Sequence, residues 1–226
     1  MLSNFFKRAI TSLILIMILF IGLFYNEISW KALVIFFLLL CFYEFYNLTM
    51  KINKNKFANS IFLFMISLYL YFFYSLLIRI KFEFGEIGIL ILIITCIFSD
   101  IGGYVFGKLI GGVKLTSISP NKTISGAFGS IIFTVFGTIL FVFFLNKIEK
   151  NPIDIELSFI FYFWLIMMSL FCQIGDLCIS YLKRKAKVKD TGNLLPGHGG
   201  ILDRVDGIIF AIPFGVLTYF ILFLRS

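Results

Sequence analysis

The sequence predicts an all-α fold, a polytopic membrane helix bundle of about seven transmembrane helices with a cytoplasmic N-terminus. Three observations carry this. Of the 226 residues, 60% are hydrophobic and only 14% are charged, a balance too apolar for a water-soluble domain. Apolar runs recur from end to end at the length of about 20 residues that a helix needs to cross a ~30 Å hydrocarbon layer. The runs are continuous, which excludes a barrel of alternating strands about 10 residues long.

The expected spans are residues 10–25, 32–48, 59–77, 87–106, 126–145, 158–178 and 207–224. The first follows Lys7 and Arg8, as a secretory signal would, but it is long and lacks a small-x-small cleavage site, so it reads as a retained span. Fourteen of the twenty Lys and Arg fall on one side of this arrangement, among them Lys7, Arg8, Lys51, Lys54, Lys56, Lys108, Lys114 and Lys122 and the run from Lys183 to Arg204. Lys31, Arg79, Lys81, Lys147, Lys150 and Arg225 are left on the other. The positive-inside rule then puts the N-terminus and every motif below at the cytoplasmic face of the cell's inner membrane. The net charge of +8 is therefore topogenic and headgroup-directed. Basic residues scattered over short loops do not make a nucleic-acid surface. Cys41, Cys96, Cys172 and Cys178 lie in apolar segments without CxxC spacing, which reads as packing. Pro120, Pro152 and Pro196 fall in loops, while Pro213 sits in a span it is expected to kink.

The chain reads as one membrane domain over residues 1–226, with helices in 1–86 that anchor and pack, and a portion in 87–226 that carries the chemistry. No internal repeat of the kind that would favour a transporter is visible. Acids within spans are costly and face water or a partner. Glu44 reads as an acid near a helix end, solvated or paired with an inner lysine. Asp100, within SDIGGYVFGK, and Asp176, within QIGDLCIS, stand at the cytoplasmic ends of their helices beside glycine and serine, and are expected to converge with the last loop.

That loop is the most informative stretch, running from Ser180 to Asp206 as SYLKRKAKVKDTGNLLPGHGGILDRVD. Asp203 and Asp206 are spaced to share one face of a first helical turn, where two carboxylates repel unless a cation lies between them. With Asp176 they form a hard-oxygen set suited to Mg²⁺ and phosphate oxygens. Lys183 and Lys187 are helical neighbours, and with Arg184 and Lys189 they make a polyphosphate-attracting cluster. Glycines around His198, notably Gly199 and Gly200, would let backbone N–H groups approach phosphate. The ring of His198 is suited to phosphate binding, to acid–base work or to shaping the turn. A second loop, Ser119 to Gly126, offers Thr123 or Ser125 as a helix cap and Lys122 as a nucleotide-phosphate contact.

In order and spacing, Ser180, Lys183-Arg184, Lys189-Asp190, Gly192, Pro196, His198-Gly199-Gly200 and Asp203-Arg204-Val205-Asp206 resemble the signature of the phosphatidate cytidylyltransferase, or CDP-diacylglycerol synthase, family. Ser99-Asp100, Gly102 to Gly107, Ser119 to Gly126 and Gly175-Asp176 extend the resemblance from residue 87 onward, with Asn121 and Ser125 as departures where a lysine and an acid are expected. The resemblance implies that a phosphate oxygen of phosphatidic acid attacks the α-phosphorus of CTP, giving CDP-diacylglycerol and pyrophosphate with Mg²⁺ and room for a second cation. Asp176 and Asp203, then Asp206, are the implied metal ligands. Lys183, Arg184, Lys189 and His198 would hold the phosphates; Lys122, Thr123, Ser180, Asp190, Gly199, Gly200 and Asp100 would line the substrate. The implied partners are CTP, phosphatidic acid and membrane lipid, without nucleic acid, and a homodimer is the candidate assembly. A CTP-dependent lipid-alcohol kinase, releasing CDP, and a small ion-coupled transporter are the rival readings. A transport path needs polar residues through the full membrane depth, and the outer halves of the spans are nearly featureless.

Overall fold

The computed structural model describes residues 2–148 and 158–223, and these are mostly helical with no β-strand among them. Lys150, Pro152, Arg225 and the predicted span end Leu224 lie outside the described residues. The helices are α1 (Leu2–Phe24), α2 (Glu27–Ile52), α3 (Lys56–Leu109), α4 (Ile124–Ile148), α5 (Phe159–Lys185) and α6 (Leu202–Phe223). Five of them, α2 to α6, are long and apolar enough to cross a membrane, and the protein is an integral membrane protein.

A continuous helix as long as α3, with 54 residues, would extend about 80 Å at 1.5 Å per residue, far beyond a ~30 Å hydrocarbon layer. It is broken at Gly85, whose φ of 65° and ψ of −164° lie outside the helical region and are open to glycine because it lacks a Cβ. The predicted spans 59–77 and 87–106 lie on either side of that break. In contrast, α6 runs through Pro213 as a single helix.

The chain divides into two compact units, residues 1–86 with 181–205, and residues 87–180 with 206–226. The signature loop, however, belongs with the N-terminal helices, so their role extends beyond anchoring and packing.

In the first unit, Asn26 starts α2 with a reciprocal cap: its Oδ1 accepts from Ser29 N (2.6 Å) and its own N donates to Ser29 Oγ (3.1 Å). Lys81, with a side chain only 9% exposed, donates to the Leu23 carbonyl at 2.5 Å. Its ammonium also lies 5.6 Å from the Trp30 ring centroid and 3.5 Å from Glu86, which satisfies a carbonyl at the end of α1. At the end of α5, Val188 N donates to Lys183 O (3.0 Å) and Lys187 N to Arg184 O (3.1 Å), with Lys187 left-handed at φ 54°. This is a Schellman closure. It places Lys187 beyond the helix, so the expected helical pairing of Lys183 with Lys187 does not form.

In the second unit, α3 and α4 meet along small residues, as membrane helices do where backbones approach closely. A Cβ on Gly102 would run into the Gly129 carbonyl, and one on Gly103 would lie 2.7 Å from Ser130 Oγ. Buried hydroxyls then bridge helices: Thr138 Oγ1 donates to Thr95 Oγ1 (3.2 Å), and Ser99 and Ser169 share a bond of 3.0 Å. Trp164 Nε1 donates to Gly215 O at 2.8 Å, and Phe171 stacks on Phe214 at 4.9 Å. Gly102→Ala is expected to destabilise this unit by about 1–3 kcal/mol, the range for overpacking against a backbone that cannot yield. An unchanged thermal midpoint of the variant in detergent would refute the close approach.

Candidate active site

The chemistry-bearing side chains form two clusters, one inside each unit. The first unit's cluster is built on the segment between α5 and α6. Lys183 Nζ donates to Asp203 Oδ1 at 2.8 Å, the two side chains being 13% and 7% exposed. Asp203 Oδ2 accepts from Thr191 N (2.8 Å) and Gly200 N (3.0 Å), with Thr191 Oγ1 3.0 Å away. The carboxylate is thus used within the protein, tying the last turn of α5 and the loop to the first turn of α6. Arg204 does not pair with an acid there; its Nη2 donates to His198 O at 2.8 Å.

Glu44 corrects the sequence reading. It is fully buried at 0% exposure, neither solvated nor paired with a lysine. Its Oε2 accepts from Thr191 Oγ1 (2.7 Å) and Leu202 N (2.9 Å), and its Oε1 accepts from Ile201 N (2.9 Å). One signal was available in the sequence: the helical neighbours of Glu44, Leu40, Cys41, Asn47 and Leu48, provide no cation. Thr191 was missed because a loop threonine resembles many others. Helix α1 contributes three further contacts. Arg8 Nε donates to Gly197 O (2.9 Å), Thr11 Oγ1 donates to Pro196 O (3.1 Å), and Ser12 Oγ lies 3.3 Å from His198 Nε2.

His198 and Gly199 close a tight turn in which Leu195 N donates to Gly199 O and His198 N to Leu195 O, both at 2.9 Å. Burial, then the charge of Arg204 and more weakly that of Arg8, hold the imidazole below its ordinary pKa. It is therefore neutral near pH 7. Arg184, Lys189 and Asp190 are exposed on the rim of this segment.

In the second unit, the backbone pairs Lys114 with Thr123 in an isolated bridge, with Leu115 N donating to Lys122 O at 2.8 Å. That turn directs Lys122 to Asp176 on α5, where Nζ and Oδ2 are 2.5 Å apart. Ser180 Oγ donates to Asp176 Oδ1 (3.3 Å). The cap expected at the start of α4 is Thr123, whose Oγ1 accepts from Gly126 N (3.1 Å) and bonds Ser125 Oγ (2.9 Å). Asp100 accepts from the Cys172 thiol at 3.8 Å and lies within the electrostatic reach of both Asp176 and Lys122. Asp206 Oδ1 accepts from Gly207 N at 2.9 Å, and its carbonyl abuts Gly175, the residue before Asp176.

A divalent cation fits these residues in part. No group of three or more His, Cys, Asp or Glu side chains able to hold a metal ion occurs among the described residues. Asp203, expected as a ligand, already has both oxygens filled by protein donors. Asp176 and Asp206 supply hard carboxylate oxygens on helices that touch, and Mg²⁺ commonly takes one or two carboxylates with substrate phosphates completing its shell. Asp176 likewise has a protein donor at each oxygen, the Lys122 ammonium at Oδ2 and the Ser180 hydroxyl at Oδ1, so a cation there would displace at least one of them.

The profile of the cytidylyltransferase family matches residues 48–222. The chain belongs to the cytidylyltransferase family. Among its relatives, the phosphatidate cytidylyltransferase of Helicobacter pylori is 40% identical over 141 residues, 62% of this chain and 50% of that protein. That of Staphylococcus haemolyticus is 44% identical over 121 residues, 51% of this chain and 42% of that protein. The Bacillus subtilis protein of the same name is 42% identical over 133 residues, 57% of this chain and 44% of its own length. The chain thus spans about half the length of the curated relatives it matches.

Two expectations follow for this cytidylyltransferase-family chain. In Asp203→Asn the amide group meets a donor on either side, because the Lys183 ammonium faces Oδ1 and the N–H groups of Thr191 and Gly200 face Oδ2. The variant should lose about 3 kcal/mol, the lower end for removing one partner of a buried pair, read as faster protease nicking within residues 187–202; wild-type nicking rates would refute this. The second expectation concerns pH. Because the folded pKa of His198 lies below the ordinary 6.5, protonation favours the unfolded chain: its share of the stability is complete above that pH and declines as pH falls below it. His198→Gln should flatten this part of the thermal-midpoint profile, and parallel profiles would remove His198 as its source.

Proposed function

We propose that this protein transfers the cytidylyl group of CTP to phosphatidic acid, forming CDP-diacylglycerol and releasing pyrophosphate. The observation that carries this reading is the family match across residues 48–222, supported by relatives that bear the name phosphatidate cytidylyltransferase. In the reaction a phosphate oxygen of the lipid forms a bond to the α-phosphorus, and the α–β phosphoanhydride breaks as pyrophosphate leaves. Such a transfer needs charge neutralisation and alignment more than covalent catalysis.

The chain's own residues suit these tasks. Within their own units, Lys122 and Lys183 carry ammonium groups already oriented by Asp176 and Asp203, which lowers the cost of presenting each of them to a phosphate oxygen. Arg184 and Lys189, exposed at the rim, draw in the triphosphate and the anionic lipid headgroup. His198, neutral near pH 7, takes part as a hydrogen-bonding group instead of a fixed charge. Mg²⁺ belongs to the proposal, with Asp176 and Asp206 as its protein ligands, and when bound it would neutralise charge on the phosphates. The distribution of Lys and Arg favours an inner-membrane protein working at the cytoplasmic face.

Purified protein in detergent, given CTP labelled at the α-phosphate, phosphatidic acid and Mg²⁺, should produce a lipid-extractable label and an equimolar amount of pyrophosphate. Release of CDP would indicate a kinase instead, and no lipid label from folded protein would overturn the assignment. Lys122→Met should lower kcat/KM by about 10²-fold, the typical loss when one preorganised charge partner is removed.

A further inference from the structure

The geometry points to Glu44 as a positioning residue that clamps the loop ahead of α6 and thereby sets Asp203 and Lys183. The inference rests on the function proposed above for what is being positioned; the clamp itself stands on contacts alone.

The loop is built around this carboxylate. A Cβ on Gly200 would collide with Thr191 Oγ1 and with both oxygens of Glu44, and a Cβ on Gly192 would lie 2.7 Å from Oε1. Two glycines of the signature are therefore required by Glu44. The N–H of Gly200, expected to be available to phosphate, donates instead to Asp203. Glu44 receives the N–H groups of Ile201 and Leu202 at the start of α6, where unpaired donors and the helix dipole favour an anion.

Thr191 links the two carboxylates. Its hydroxyl lies 2.7 Å from Glu44 Oε2 and 3.0 Å from Asp203 Oδ2, and its main-chain N donates to Asp203 at 2.8 Å. A displacement of Glu44 is thus felt at Asp203, and from there at Lys183. Glu44 lies outside the family-matched residues 48–222. The anchor therefore comes from a helix that carries none of the signature, and this unit's helix α1 adds the contacts of Arg8, Thr11 and Ser12 to the same loop.

The test uses the full-length protein in detergent with Glu44→Gln, Thr191→Val and Thr191→Ser. In E44Q the side-chain amide confronts N–H donors. Amide exchange at Ile201 and Leu202 should accelerate at least about 10-fold while α5 residues 159–180 exchange as in wild type. Transfer per folded molecule should fall about 10- to 100-fold, as when the partner that orients an active-site ligand is lost. T191V should fall likewise, T191S should stay within about 3-fold of wild type, and the E44Q/T191V double variant should lose little more than E44Q alone. A side chain that only filled space would give the reverse order, with the isosteric valine tolerated and serine damaging. Unchanged exchange at Ile201 and Leu202 in E44Q, a T191S loss equal to that of T191V, or fully additive losses would overturn the inference. If E44Q does not accumulate folded, the valine and serine variants decide it. A wild-type protein without cytidylyl transfer would refute the proposed function, while the exchange rates would still decide the clamp.

Discussion

A buried carboxylate at the start of a helix is the constraint on which the signature segment depends. Removing a charge from water costs several kcal/mol even after the protein relaxes, so Glu44 at 0% exposure has to be offset where it lies. The offset comes from three donors, two of them consecutive N–H groups that no intrahelical carbonyl can reach. Each side satisfies the other, and each would be costly alone. An apolar residue in place of Glu44 would leave the first amides of α6 without a partner, while α6 elsewhere would leave a bare carboxylate in hydrocarbon.

The same logic recurs around the other acids. Asp203 has a lysine and two backbone N–H groups and Asp176 has a lysine and a serine, so neither carboxylate is uncompensated. Hydrogen bonds to charged groups are worth roughly twice those between neutral partners. Short ties of this kind can hold a glycine-containing loop that has little apolar area to bury. The result is a segment whose rim is basic and exposed and whose interior is locked by acceptors.

The division of the chain gives these ties their meaning. Residues 181–205 pack with residues 1–86, while 87–180 pack with 206–226, so the chain crosses between units on either side of its signature. Lys183 and Asp203 are set by the N-terminal helices; Lys122 and Asp176 are set by the turn before α4 and by α5. The small-residue contact of α3 with α4 brings two backbones close, and buried hydroxyls hold the same unit together where lipid offers no competing hydrogen bonds.

Composition and apolar run length alone determined that this is a helical membrane protein, because a backbone in hydrocarbon must satisfy its hydrogen bonds internally and only about 20 apolar helical residues span the layer. The charge of the run from Ser180 to Asp206 between two apolar segments marked its acids, and the order of its residues carried the resemblance to the family signature. The order of residues could not show which donor each acid takes. Lys122 and Asp176 are 54 positions apart in sequence, Thr191 and Glu44 are 147 apart, and a carboxylate accepts equally from an ammonium, a hydroxyl or an amide. Only the folded chain decided among them. It assigned Glu44 to the amides of α6 instead of a lysine, and Asp203 to the loop instead of an open position, because burial leaves an acid with whatever donors the neighbouring backbone brings within about 3 Å.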